Sequence, residues 1–144
     1  MLTIYPAVFS RDEDGYSVLF PDLNHLATCG ETLDEAMAMA VDCLAGYLYT
    51  CQKDGETVPA PSALDQIDLS AIAREEYDVS DTGEMFVNLV AVDVQSYAKA
   101  HFEKSVKKTL TIPAWLNTFG EANHVNFSQL LQDSLLSLYR NSIK

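Results

Sequence analysis

The sequence predicts an α+β protein in two parts. Within residues 1–98, period-two apolar segments bracket one long helical pattern, giving the order β-β-β-α-β. Residues 106–144 carry a second pattern, a short strand followed by two helices. Charge divides at the same place. Residues 1–98 hold three basic and 18 acidic residues, a net of −15, whereas residues 99–144 hold six basic and three acidic ones, a net of +3. The expected boundaries are therefore a body over 1–98, a linker over 99–105 and a tail over 106–144.

Composition narrows the class. The chain of 144 residues is 48% hydrophobic with a formal net charge of −12, too apolar for wholesale disorder. No apolar run approaches the roughly 20 residues that span a bilayer. The first residues, Met1-Leu2-Thr3-Ile4-Tyr5-Pro6, lack the basic start of a signal peptide, so a soluble, cytoplasmic protein without a membrane partner is expected. Three cysteines, Cys29, Cys43 and Cys51, cannot all pair and form no Cys-x-x-Cys, so buried free thiols are expected rather than a metal site.

The body opens with a strand over Leu2–Phe9, where Leu2, Ile4 and Val8 share one parity and Tyr5, Ala7 and Phe9 the other. Pro6 demands a bulge or a side without a hydrogen-bonding neighbour. The polar run from Ser10 to Gly15 ends in Asp-Gly and predicts a hairpin into a strand over Tyr16–Phe20. Leu26–Cys29 reads as a third short strand closed by Gly30. Thr32 and Glu35 then form a Thr-x-x-Glu capping box. From Leu33 to Cys51 the apolar residues recur at helical spacing, with an end expected near Gln52. Residues 53–83, with Pro59 and Pro61, resist a clear reading; Leu64, Ile67, Leu69 and Ile72 suit a turn or two of helix or irregular packing. Met85–Val94 is apolar at both parities, predicting a strand that is central or covered on both sides.

These segments carry a resemblance. Gly15-Tyr16-Ser17-Val18-Leu19-Phe20-Pro21-Asp22-Leu23, then Thr28-Cys29-Gly30-Glu31-Thr32-Leu33-Asp34-Glu35-Ala36, Ala40 and Tyr47-Leu48, and later Val90-Ala91-Val92-Asp93-Val94 with Tyr97, resemble the HicB family of antitoxins. One departure stands out: Asn24-His25 replaces the Pro-Gly that often follows the family's F-x-D-L, and Asn can still supply a left-handed turn. The resemblance implies a truncated ribonuclease H-like fold for the body. It also implies that the body binds and blocks a small basic, RNA-cleaving HicA-type toxin with a double-stranded-RNA-binding-like fold. Asp12, Glu13 and Asp14 in the hairpin and Phe20, Pro21 and Asp22 at the strand end are the expected toxin-facing residues.

The ribonuclease H likeness raises a nuclease alternative, which would need carboxylates converging on metal ions. The acids instead cluster in turns, and Asp93 is the sole acid inside a predicted strand. His25, His101 and His124 lie in separate segments outside any catalytic motif, and no glycine-rich phosphate loop is present. No catalytic residue, metal or cofactor is expected.

The tail carries the sharper pattern. Val106–Ile112 reads as a strand stopped by Pro113, Ala114–Asn123 as a helix interrupted by Gly120, and a second helix starts at Asn126 with Gln129 completing an Asn version of the capping box. Phe127, Leu130, Leu131, Ser134, Leu135 and Leu138 then form one stripe. These 39 residues are too few to bury a core alone, and a lone strand leaves both edges unpaired. Pairing two copies in an antiparallel ribbon solves both problems, and the arrangement resembles the ribbon-helix-helix repressors, which lay such a ribbon in the DNA major groove. Leu110, Ile112, Leu116, Phe119, Leu130, Leu131, Leu135 and Leu138 are then the expected dimer core. Lys107, Thr109 and Thr111 face base edges. Lys108 and Lys104 serve phosphate, as do Asn126, Phe127 and Ser128 at the second helix's N-terminus. The expected function is an antitoxin that represses its own operon by binding operator DNA as a homodimer. Alternatives are a stand-alone regulator with a ligand-sensing body, a tail that is only a dimerisation clasp, and a helix-turn-helix tail, which would need more helices than are present.

Overall fold

The computed structural model describes residues 1–78 and 84–143. It divides into two compact units, Met1–Lys104 and Ser105–Lys144. The first unit carries 19 acidic and five basic residues, a net of −14, and the second two acidic and four basic ones, a net of +2.

In the first unit a four-stranded antiparallel sheet runs in the order β3-β2-β1-β4, with β1 Thr3–Asp12, β2 Gly15–Phe20, β3 Leu26–Gly30 and β4 Met85–Val92. The first three strands fall where the apolar alternation put them, with β1 and β2 each reaching further into the hairpin than the polar run suggested. Asp12 pairs with Gly15, leaving Glu13-Asp14 as the turn, pinned by Asp14 N–H donating to Asp12 Oδ1 at 3.0 Å. Pro6 sits where β1 has β4 on one side and no strand on the other, because β2 joins only from Val8 onward, so its missing N–H is tolerated.

The helix α1, Leu33–Asp54, covers one face of the sheet. Ala36, Ala40, Leu44 and Leu48 pack with Tyr5, Ala7, Phe9, Val18, Phe20, Val90 and Val92 in one buried cluster. Thr32 caps the helix, its Oγ1 accepting from Glu35 N–H at 3.2 Å. The return bond differs from the expected box, since Glu35 Oε2 accepts from Glu31 N–H at 2.8 Å, one residue earlier. The helix ends at left-handed Gly55, whose amide donates to Cys51.

Of the two readings offered for β4, central or covered on both sides, the second is the nearer: it is an edge strand with apolar partners on both faces. Val90 and Val92 lie under α1, and Met85 and Val87 lie against Val8, Leu19, Ile72 and Ala73, while Leu89 on that second face stays exposed. One boundary is corrected: the strand stops at Val92 rather than Val94. Asp93 caps a short helix, α3 (Val94–His101), by accepting from Ser96 N–H at 3.0 Å. An Asp three residues before a polar amide is a start signal that the preceding valine run obscures. The segment 99–105, expected as linker, is consequently helical over its first three residues. The stretch between the prolines and β4, left open between a turn or two of helix and irregular packing, holds a two-turn helix, α2 (Leu69–Glu76), capped by Asp68 and contributing Ile72 and Ala73 to the second cluster. Of the cysteines, Cys51 is buried, Cys43 partly so and Cys29 exposed; all are free.

The second unit contains α4 (Ala114–Ala122) and α5 (Phe127–Ser142). Asn126 caps α5 by accepting from Gln129 N–H at 3.0 Å, while the Gln129 side chain donates forward to Asp133 at 2.9 Å rather than back to the cap. Gly120 faces Phe127, and a Cβ there would overlap the phenyl ring, which accounts for a glycine inside α4. Residues 104–113 form no hydrogen-bonded strand. A ladder needs a second strand, and the single chain offers none to this segment.

Candidate functional site

Two surfaces hold the residues singled out above. At one end of the first unit, Gly15 and Gly30 let three chain segments close on each other. A Cβ on Gly15 would strike the Gly30 carbonyl, and one on Gly30 would strike the Ala36 backbone. The hairpin tip, the end of β3 and the start of α1 therefore meet, and Asp12, Asp14, Tyr16, Cys29, Glu31 and Glu35 line one open depression. Asp34 lies in the first turn of α1 beside it. The N-terminus of α1 supplies partial positive charge that eases this crowding of carboxylates. Glu31, Asp34 and Glu35 were not singled out from sequence, where they read only as helix-start residues. The signal that joins them to the hairpin acids is the glycine pair.

Phe20, Pro21 and Asp22 lie elsewhere. The far end of β2 is roughly 17 Å from the hairpin, five residues along a strand. Phe20 is corrected outright: it is wholly buried in the core and offers no surface. Asp22 is half-buried and already engaged, accepting from Ser62 N–H at 2.8 Å and from Ser62 Oγ–H at 2.6 Å. It ties the proline segment to the sheet, as does Tyr5, whose hydroxyl donates to the Pro59 carbonyl at 2.6 Å and whose pKa is raised by burial and then by Asp22.

Asn24 and His25 follow with φ of 54° and 57°, and Leu26 N–H donates to Leu23 O at 3.1 Å, so the two form the centre of a tight left-handed turn. His25 Nδ1 lies 2.9 Å from Glu76 on α2. Asp93 is not the strand acid that a nuclease would use. Its carboxyl is held down at about 2 by a hydrogen bond from the chain's amino group and then by the Ser96 amide. Among the described residues no three His, Cys, Asp or Glu side chains are arranged to hold a metal ion. The partly buried Cys43 thiol is pushed up by burial and then by Asp42, away from thiolate chemistry.

The second surface belongs to the second unit. Leu110, Ile112, Leu130 and Leu131 line one hollow with Asn117, Phe127 and Ser134. Lys107, Lys108 and Ser128 border an adjoining groove with Val106, Leu110, Phe127 and Leu135. The unit thus brings together five of the eight residues expected at the dimer core and four of the eight expected at DNA. Lys104 stands apart as the last residue of the first unit. Thr109 and Thr111 are exposed. Phe127 is turned toward Gly120, and Asn126 is spent capping the Gln129 amide, so what the α5 start offers outward is the Phe127 and Ser128 N–H groups and the Ser128 hydroxyl.

This unit leaves its apolar stripe in water. Leu110 is 62% exposed, Phe119 60%, Leu130 56%, Leu135 55% and Leu138 66%. Leu116 is more sheltered, at 38%, but still exposed.

The family model for the HicB-like antitoxins of bacterial toxin–antitoxin systems matches residues 5–134, which takes in both units. The chain belongs to the HicB-like antitoxin family. Antitoxin HicB 2 of Photorhabdus laumondii is 41% identical over 58 residues, a match covering 40% of this chain and 42% of that protein. The matched part is therefore about two fifths of that relative's length. A 14.9 kDa protein from the rep-hol intergenic region of Haemophilus phage HP1 is 29% identical over 144 residues, covering 93% of this chain and 98% of its own. Among solved structures, a chain of a toxin–antitoxin complex from Streptococcus pneumoniae is similar over 95% of this chain and 99% of that one, with 33% identity and a TM-score of 0.63. The similarity to that chain therefore runs through the tail as well as the body. No helix among the described residues is long and apolar enough to cross a membrane.

Proposed function

We propose that the first unit binds and neutralises a small basic RNA-cleaving toxin of the HicA type, and that the second unit dimerises and binds operator DNA to repress the shared operon. The observation that carries the toxin half is the similarity, over nearly the full length of both chains, to a chain of a toxin–antitoxin complex. The charge supports it: a unit of net −14 suits a partner whose RNA-binding face must be basic. The acidic end, with Asp12, Glu13 and Asp14 joined by Glu31, Asp34 and Glu35, is the surface that would cover that face. Pro21 and Asp22 would belong to a second, separate contact.

The DNA half rests on the tail. Two copies would pair residues 106–112 as an antiparallel ribbon, bury Leu110, Ile112, Leu116, Phe119, Leu130, Leu131, Leu135 and Leu138 between them, and turn Lys107, Thr109 and Thr111 to the major groove. Lys108, Ser128 and the first amides of α5 would take phosphates, with Lys104 adding charge on the approach. The place of action is the cytoplasm.

Co-expression with a small basic HicA-type protein, which this reading expects to be encoded beside it, tests the reading. The account expects rescue of growth, co-purification of the two chains, and salt-sensitive binding of the complex to its own promoter fragment. Ligand-dependent promoter binding without any protein partner would favour the stand-alone regulator instead.

A further inference from the structure

Of the sheet's two free edges, one is blunted and one is not. An edge strand exposes a row of unpaired N–H and C=O groups, and proteins usually keep such a strand short, charge it or place a proline on it. The edge strand β3 has five residues, and Gly30 at its end is pressed against the Ala36 backbone. The edge strand β4 has none of these devices: its eight residues, Met85-Phe86-Val87-Asn88-Leu89-Val90-Ala91-Val92, include no charge and no proline. Among the described residues no strand pairs with its outer side. Pro6 shows which groups point there. It stands opposite Leu89 with no N–H to give, and Leu89 N–H turns away to Asn88 Oδ1 at 2.9 Å. Opposed residues of an antiparallel pair alternate between bonded and unbonded, so Val87, Leu89 and Ala91 aim their backbone groups outward. The flanks of this edge are apolar. Phe86, stacked on Phe9 at 5.2 Å, is 37% exposed on the α1 face, and Leu89 at 47% and Ile4 at 42% lie on the other. A strand laid about 4.8 Å beyond β4 would complete the hydrogen bonds and cover both flanks.

Charge selects the occupant. The strand β4 starts at the acidic end of the unit: Met85 pairs with Ser10 beside the hairpin, and Glu84 O accepts from Arg11 N–H at 3.0 Å, next to Asp12. A second copy on this edge would bring another unit of net −14 to strand-pairing distance, which like charge opposes. A basic chain is drawn to the same place. We infer that the outer edge of β4 takes an extended segment of the basic toxin as a fifth strand of the sheet. The toxin's basic face would lie over the hairpin acids, and its strand would run on along Val87, Leu89 and Ala91. Backbone hydrogen bonds give such a contact its affinity, and the exposed Phe86, Asn88, Leu89 and Ala91 give it side-chain fit. The inference rests on the toxin-binding reading of the first unit and specifies where and how the contact is made.

Amide hydrogen exchange on the full-length protein, alone and with the same HicA-type protein, reads the edge directly. Val87, Leu89 and Ala91 should exchange quickly alone and be slowed roughly a hundredfold in the complex, whereas Phe86 and Val90, which face β1, should be protected in both. Leu89→Pro removes one outward N–H and spares the ladder to β1, as Pro6 does on its own strand. It should leave helical content unchanged and weaken toxin binding roughly thirtyfold. Leu89→Ala keeps the amide and should weaken binding less than about fivefold. A complex whose edge amides exchange as fast as in the free protein, or a folded Leu89→Pro protein that binds toxin like wild type, would overturn the added strand and leave toxin binding standing. Edge protection that appears in the free protein as its concentration rises would give the edge to a second copy and overturn the inference likewise. A wild type that binds no toxin would remove the toxin reading and the strand with it.

Discussion

His25 holds a backbone conformation that glycine adopts more cheaply, with φ of 57° beside Asn24 at 54°. His25→Gly should therefore raise thermal stability by about 0.5–1 kcal/mol from the relieved left-handed strain, less whatever the exposed contact with Glu76 contributes. Thermal melts of the two proteins decide it; a destabilised variant would show that the Glu76 contact outweighs the turn. Gly120 presents the opposite case. Ala is the better helix former by about 1 kcal/mol, yet a Cβ would overlap Phe127. Gly120→Ala should destabilise the second unit, on the order of 1–3 kcal/mol as overpacking does. At the DNA face, Lys107→Ala should weaken operator binding across sequences and lower its salt slope if the ammonium meets phosphate, whereas Thr109→Ala should relax sequence preference. Promoter titrations at two salt concentrations read both effects, and unchanged binding in both variants would refute the ribbon assignment. Several of these residues were legible from sequence. Asn24 was suited to the turn, and Thr32 and Asn126 announced their caps. Phe20 was misread, because a residue within a recognisable motif is as often conforming to the core as facing a partner.

The elements show why some segments speak for themselves and others do not. The helix α1 is long, amphipathic and capped, so start, face and approximate end could all be read. Thr32→Ala should cost about 1 kcal/mol in urea denaturation by orphaning the Glu35 amide; a cost near zero would mean that the Glu31–Glu35 bond alone anchors the helix start. The strand β4 was visible as a strand, with its place left between central and covered on both sides. Apolar residues at both parities report partners on two faces, and an edge strand with α1 on one side and α2 near its start on the other satisfies that as well as a central one. The helices α2 and α3 were missed or left open because each is eight residues long. At that length helical periodicity is about two turns, and tertiary packing of Ile72, Ala73, Val94 and Ala98 decides the outcome. The tail's proposed ribbon is the extreme case: a strand whose hydrogen-bonding partner is the same segment of a second copy would not form in one chain.

At the scale of the molecule, two units of opposite charge and unequal completeness share one chain. The first has a main core under α1 and a smaller one on part of the opposite sheet face, where Ile4 and Leu89 stay exposed, and should fold alone. The second has 40 residues and an exposed apolar stripe, well short of what a domain of that size needs without staples or a partner. Deleting residues 105–144 should therefore abolish dimers and promoter binding while leaving toxin inhibition at least partly intact in a growth-rescue assay. Complete loss of rescue would place toxin contacts in the tail as well. The central claim is that residues 106–112 of two copies form one antiparallel strand pair. Isotope-filtered NMR on a mixed dimer of labelled and unlabelled chains tests it most directly. The account predicts inter-chain contacts between backbone protons of the two Lys107–Ile112 segments. Helical or purely intra-chain contacts across those residues would contradict it.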